Sequence, residues 1–263
     1  MHTRDLGHAA TVLTIFYQGR DHPGTQVLGI DLSPIQPDYA PPNVSFEICD
    51  AEDEWSFSQK FDFIHMRAIV TCFADPKAVF QQAYDALEPG GYIELRDPIM
   101  PFQFLTPPPE GCALQEWGER VIEAADAVGR RWTNAPHYAR WLQEIGFVDI
   151  VETREHVGLN PWMKGSRNKQ LAALLGSDMS HGLESMSMAL FTRVLGWDPA
   201  RVRELVERAR NDIVDPKIHA YSEGYVSSLT PSPRLLCLVY LADTLLTWTY
   251  SVHVYGMKPY NAV

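Results

Sequence analysis

The chain has 263 residues, 46% of them hydrophobic and 21% charged, which suits one large domain, or a domain with a helical insertion, better than two independent units. Twenty-two Lys and Arg against 33 Asp and Glu give a formal net charge of −11, which argues against direct nucleic-acid binding and against an anionic membrane surface. The four cysteines, Cys49, Cys72, Cys112 and Cys237, form no CxxC pair, so buried thiols in a reducing compartment are expected rather than a disulfide framework or a metal site.

The apolar stretch Ala9 to Tyr17 has neither a sustained signal core nor a cleavage site. Leu235 to Tyr250 is interrupted by Asp243 and is shorter than the ~20 residues a membrane span needs. A cytoplasmic or nuclear protein with no membrane partner is expected.

From Val27 onward, short apolar runs alternate with helix-like segments, the pattern of a parallel sheet with crossover helices. Val27 to Asp31, Val44 to Asp50, Phe61 to Arg67 and Gly91 to Asp97 read as strands. Between the last two, Asp75-Pro76 caps a helix carried by Val79, Ala83, Tyr84 and Leu87 and stopped by Pro89-Gly90-Gly91. The Pro-rich stretch Pro98 to Gly111 reads as a loop closing over a site. Gln115 to Val128 and Pro136 to Ile145 read as amphipathic helices, the second opened by Asn134 and closed by Gly146. Phe147 to Val157 reads as a strand, Asn168 to Leu195 as a long or broken helix, and Asp198-Pro199 as the start of a helix running to about Asn211.

In an open parallel sheet, ligands bind beyond the carboxyl ends of the strands, so the residues ending each run are the candidates. Asp31 suits either a ribose diol or the cap of a following turn, and Asp50, before Ala51, suits either an adenine amine or an acidic turn. His65 and Arg67 suit contact with a carboxylate-bearing ligand, or, for His65, a satisfied place in the core. Trp117, Trp132, Tyr138 and Trp141 suit an apolar pocket or, at helical spacing, the core. No GxSxG, HExxH or Walker motif supports a hydrolase, zincin or P-loop reading.

Val27-Leu-Gly-Ile-Asp-Leu-Ser-Pro-Ile-Gln-Pro37, Phe46-Glu-Ile-Cys-Asp-Ala-Glu-Asp-Glu-Trp55, Phe61-Asp-Phe-Ile-His-Met-Arg67 and Ala86-Leu-Glu-Pro-Gly-Gly-Tyr-Ile-Glu-Leu-Arg-Asp97 resemble the fungal class I S-adenosylmethionine-dependent methyltransferases of the LaeA-like kind. Asn160-Pro-Trp162, Leu190 to Trp197 and Ile218-His-Ala-Tyr221 continue the resemblance. It implies an α/β fold: a Rossmann-like class I methyltransferase sheet with helices on both faces and a helical cap region. It also implies one domain over 1–263, with a core of about 19–158 plus a final strand at about 252–258, and helical regions at about 110–145 and 162–212.

The same resemblance implies S-adenosyl-L-methionine as cofactor, held by Asp31 and Leu32 at the ribose, Asp50 and Ala51 at the adenine, and His65, Met66 and Arg67 beside the methionine moiety. The implied partner is a small-molecule methyl acceptor or a regulatory target in secondary metabolism, with regulatory protein partners. No metal is implied. No catalytic base is assigned, because positioning supplies much of an in-line methyl transfer.

The chain departs from this pattern twice. The glycine-rich loop expected about 20 residues before the ribose acid falls near Leu13 to Tyr17, where Ala10 to Tyr17 contains no glycine. Gly224 to Ser251 has no counterpart in the family and reads as an insertion of intronic origin, the alternatives being a family-specific insertion or a weakly membrane-associating helix. Rejoining its flanks restores one continuous strand. The first departure leaves open a second class of function, a non-catalytic methyltransferase-fold protein that binds a partner.

Overall fold

A computed structural model describes residues 19–32, 34, 39–224, 236–241 and 252–260. The strands are β1 (Gln26–Asp31), β2 (Val44–Ile48), β3 (Phe61–Arg67), β4 (Leu87–Asp97), β5 (Ile99–Phe104), β6 (Val148–Thr153), β7 (Glu155–Gly158), β8 (Ala220–Gly224), β9 (Leu236–Leu241) and β10 (Val252–Met257). The helices are α1 (Pro76–Ala86), α2 (Ala113–Ala127), α3 (Tyr138–Ile145, entered by a 3-10 turn at Ala135–His137), α4 (Ser166–Arg193) and α5 (Pro199–Val214).

Seven strands form the large sheet in the order β2-β1-β9-β3-β4-β10-β6. The pairs from β2 to β4 are all parallel, and β10 runs antiparallel between β4 and β6. Ile64, Met66, Ile93 and Leu95 are fully buried on one face and share a core with Val79, Phe80 and Ala83 of α1 and Leu142 of α3. Phe80 meets Tyr138 edge-on with ring centroids 5.1 Å apart, which fixes α1 against α3. α1 and α3 both lie on that face. Residues 19–21 are helical as well, and Gly19 among them lies against Asn43 and Val44 at the start of β2.

α1 begins as its sequence dictates: Asp75 Oδ1 accepts the Ala78 N–H at 3.1 Å, and Pro76 occupies the first turn. It stops at Ala86, and Leu87 is already extended. The Pro89-Gly90-Gly91 stop signal therefore lies inside β4, where the β3 register jumps from Phe61↔Leu87 to Phe63↔Tyr92. The next correction concerns Pro98 to Gly111. Ile99–Phe104 is strand β5, which pairs with β8, and β8 pairs with β7, making a second sheet of order β5-β8-β7. The single strand expected over Phe147 to Val157 is likewise two, β6 and β7, in different sheets.

α2, α4 and α5 pack together beside this small sheet. Gly176 of α4 lies so close to the Leu159 carbonyl that an added Cβ would stand 2.1 Å from its oxygen, so only glycine permits the approach. Trp117 is fully buried in this layer, stacked on Phe102 and donating to Ser187 Oγ at 2.7 Å. Trp132 and Tyr138 are buried as well, and Trp141 is partly buried against the core. These aromatics are core rather than pocket lining.

The segment read as an insertion contains β9, which lies between β1 and β3 near the middle of the sheet. Its register runs from Gln26↔Leu236 to Ile30↔Tyr240 on one side and from Phe63↔Cys237 to Arg67↔Leu241 on the other. Glu223, the residue before the end of β8, lies opposite Ile99, and the chain enters β10 at Val252, opposite Asp97. The two flanks therefore face neighbouring positions on the path from β4 into β5. Leu13 to Tyr17, where the glycine-rich loop is expected, lies outside the described residues.

Candidate functional site

The carboxyl ends of β1, β2, β3 and β4 share one edge of the large sheet, the edge beyond which open parallel sheets bind their ligands. Asp31 ends β1 and is 5% exposed, with its carbonyl accepting the Cys49 N–H at 3.1 Å. Leu32 beyond it is exposed. Asp50 closes an Asx turn through Oδ1, which accepts the Glu52 N–H at 2.9 Å. Ala51 is fully buried, and its carbonyl accepts from Trp55 Nε1 at 3.0 Å and Gln82 Nε2 at 3.4 Å. Gln82 of α1 also donates to the Asp53 carbonyl at 3.0 Å and accepts from the Trp55 N–H at 2.9 Å. The Asp50 to Asp53 turn is thus tied to α1 before any ligand arrives.

His65, Met66 and Arg67 do not act as one group, because strand alternation sends their side chains to opposite faces. Met66 is fully buried in the main core, so any part it takes at the edge runs through its backbone. His65 sits mid-strand in register with Glu94, its Nδ1 2.9 Å from Glu94 Oε2, and both residues are 7% exposed. The carboxylate makes Nδ1 the donor, and the buried Nε2 has no hydrogen-bond partner among the described residues. Arg67 ends β3 in register with Arg96. Burial and the neighbouring Arg96 pull its guanidinium down to about 10, and Asp97 works against them.

Asp97 was not a sequence candidate, yet it lies at the centre of this edge. It is fully buried, with Oδ2 accepting from Tyr138 Oη at 2.7 Å and Oδ1 from the Val70 N–H at 3.2 Å. Burial pushes its carboxyl up to about 7, opposed by those bonds, the Ile69 amide and Arg67. The nearby Cys72 thiol is held far above its ordinary value by burial and by Asp97, Asp31 and Glu52, with Arg130 opposing, so it is a poor nucleophile. The sequence signal for Asp97 was its place at the end of the fourth strand. Its partner lies 41 positions away and has no local signature.

Glu52 and Arg130 complete the edge. Arg130 Nη1 donates to Glu52 Oε2 at 2.8 Å and to the Cys72 carbonyl. Glu52 Oε1 accepts the N–H groups of Ala74 at 2.7 Å and Asp75 at 3.3 Å. Burial raises the Glu52 carboxyl, but Arg130 and the two amides outweigh it and leave it below its ordinary value. Among the described residues no group of His, Cys, Asp or Glu could hold a metal ion, and no helix is long and apolar enough to cross a membrane.

A largely parallel sheet with a crossover helix between β3 and β4 and an edge of acids and guanidiniums is the Rossmann-like class of α/β protein. Residues 5–152 match the methyltransferase domain family, and the chain belongs to that family, among its LaeA-like fungal members. It is 34% identical over 219 residues to the methyltransferase pytC of Aspergillus terreus, covering 82% of this chain and 67% of that protein. It is 29% identical over 221 residues to the secondary metabolism regulator laeA of Aspergillus flavus, covering 83% of this chain and 60% of the other. Among solved structures, phosphoethanolamine N-methyltransferase 2 of Haemonchus contortus is similar at 18% identity with a TM-score of 0.45, covering 92% of this chain and 46% of that one.

Proposed function

We propose that the chain is an S-adenosylmethionine-dependent methyltransferase whose acceptor is a small metabolite or a regulatory target in secondary metabolism. The observation that carries this reading is the placing of Asp31, the Asp50–Ala51 turn and Arg67 on one carboxyl edge of a mainly parallel sheet. The donor set suits the cofactor by chemistry. A carboxylate at Asp31 accepts two ribose hydroxyls, Asp50 retains acceptor capacity for an amine beyond the bond to Glu52, and Arg67 matches a carboxylate. Bound there, S-adenosylmethionine would supply an electrophilic methyl group on a sulfonium. The residues of this chain then bind and orient, which is the larger part of catalysis for an in-line transfer.

A second reading, a non-catalytic binding protein with a methyltransferase fold, is favoured by β9. In nucleotide-binding sheets the strand between the second and fourth leads into the glycine loop, and here Leu-Cys-Leu-Val-Tyr-Leu holds the matching place without a glycine. Calorimetry of the full chain with S-adenosylhomocysteine separates the two. Micromolar binding supports the enzyme, and a folded chain that gives no heat supports the binding protein.

A further inference from the structure

Three segments distant in sequence meet at Arg130. α2 ends in a Schellman turn: Gly129, with φ 73°, donates its N–H to the Asp126 carbonyl at 3.0 Å, and the Arg130 N–H reaches the Ala125 carbonyl at 3.0 Å. Glycine at this position lets the chain reverse there. The side chain of Arg130 bonds Glu52, in the turn after β2, and the carbonyl of Cys72, in the loop after β3. Glu52 holds the same loop from its other side through the amides of Ala74 and Asp75. One guanidinium and one carboxylate thus fix the spacing between two loops at the carboxyl edge and join both to the end of α2.

We propose that Arg130 is a positioning residue for the cofactor, with Glu52 as its partner, and that it links the helical layer of α2 to the cofactor-binding edge. The inference rests on the functional reading above, in which the ligand spans the Asp50–Ala51 turn and the end of β3. The ion pair is partly exposed, at 38% for Arg130 and 27% for Glu52, so its contribution to global stability is small. Its effect lies in preorganisation, because a ligand that meets two loops already fixed spends less binding energy on ordering them. Both bonds leave one nitrogen, Nη1, whose two hydrogens serve the Glu52 carboxylate and the Cys72 carbonyl at once, and a lysine ammonium keeps the charge but must place it on a differently shaped stem.

The test is calorimetric titration of S-adenosylhomocysteine into the full chain, into Arg130→Lys, Arg130→Met and Glu52→Gln, and into the Arg130→Met/Glu52→Gln double variant, with thermal unfolding of each free protein. The expected result is binding about tenfold weaker in Arg130→Met, a smaller loss in Arg130→Lys, a double variant no weaker than Arg130→Met, and unfolding midpoints within about 4 °C of the parent. Binding by the parent with unchanged affinity in Arg130→Met overturns the inference alone. Affinity losses that merely follow a fall in midpoint, with Arg130→Lys no better than Arg130→Met, reduce Arg130 to a structural role and overturn it too. Silence from the parent chain overturns the enzyme reading and this inference with it.

Discussion

The hydroxyl of Tyr138 donates to Asp97 Oδ2 at 2.7 Å, and neither side chain reaches solvent. This bond ties the first turn of α3 to the end of β4. Tyr138→Phe removes the donor and leaves a buried carboxyl oxygen without it, so the loss expected in urea unfolding is about 1–3 kcal/mol. An unchanged midpoint would show that Asp97 recovers another partner.

Asp97 also sets a pH dependence. Its folded value of about 7 lies above the ~3.9 of an unfolded aspartate, so between those limits the folded chain keeps a proton that the unfolded chain has released. The stability from that proton is fully present below about pH 4 and is lost as pH rises through 7, at up to about 1.4 kcal/mol per pH unit. Asp97→Asn has no such proton, so the stability of the parent relative to this variant should fall across that window. Parallel pH profiles for the two proteins would contradict the assignment.

β9 is bonded on both sides, so an interior proline removes a ladder bond whichever neighbour the amide faces. Leu238→Pro should cost about 3 kcal/mol or more, or leave the chain insoluble. Deleting Tyr225 to Ser251 joins flanks that face neighbouring positions on the β4–β5 path, so the damage it causes reports the loss of β9 itself. A deletion variant as stable as the parent would mean that the large sheet does not need this strand.

At the ligand edge, Asp31→Ala should weaken S-adenosylhomocysteine binding by roughly 1.5–3 kcal/mol, the range for hydrogen bonds to a charged group. Asp50→Asn keeps an oxygen for both the Glu52 amide and a ligand amine, so it should lose less affinity than Asp50→Ala. Equal losses from the two changes would restrict Asp50 to closing its turn.

The strands β1 to β4 and the helices α1, α3 and α5 were legible because each is an apolar pattern bounded by proline, glycine or a capping acid. β5 was missed because Pro101 argues against a strand. The structure resolves this by placing β5 at the edge of its sheet, where an absent N–H leaves no neighbour unbonded. β9 was missed for a different reason: an apolar run of six residues carries no information about which strands will accept it. The site was half legible. Strand ends pointed to Asp31, Asp50 and Arg67, whereas the pairings His65–Glu94, Tyr138–Asp97 and Arg130–Glu52 join residues far apart in sequence.

The position of β9 also bears on how the protein is made. β1 acquires its neighbour β2 almost as soon as both have been synthesised, but its other neighbour is not yet translated, since Gln26 waits for Leu236. β3 waits as well, with Phe63 paired to Cys237. On the ribosome the first half of the sheet therefore emerges as two parts with unpaired edges, and closes only once Leu236 to Leu241 has been synthesised. Such long-range pairing is slow and leaves strand edges exposed meanwhile.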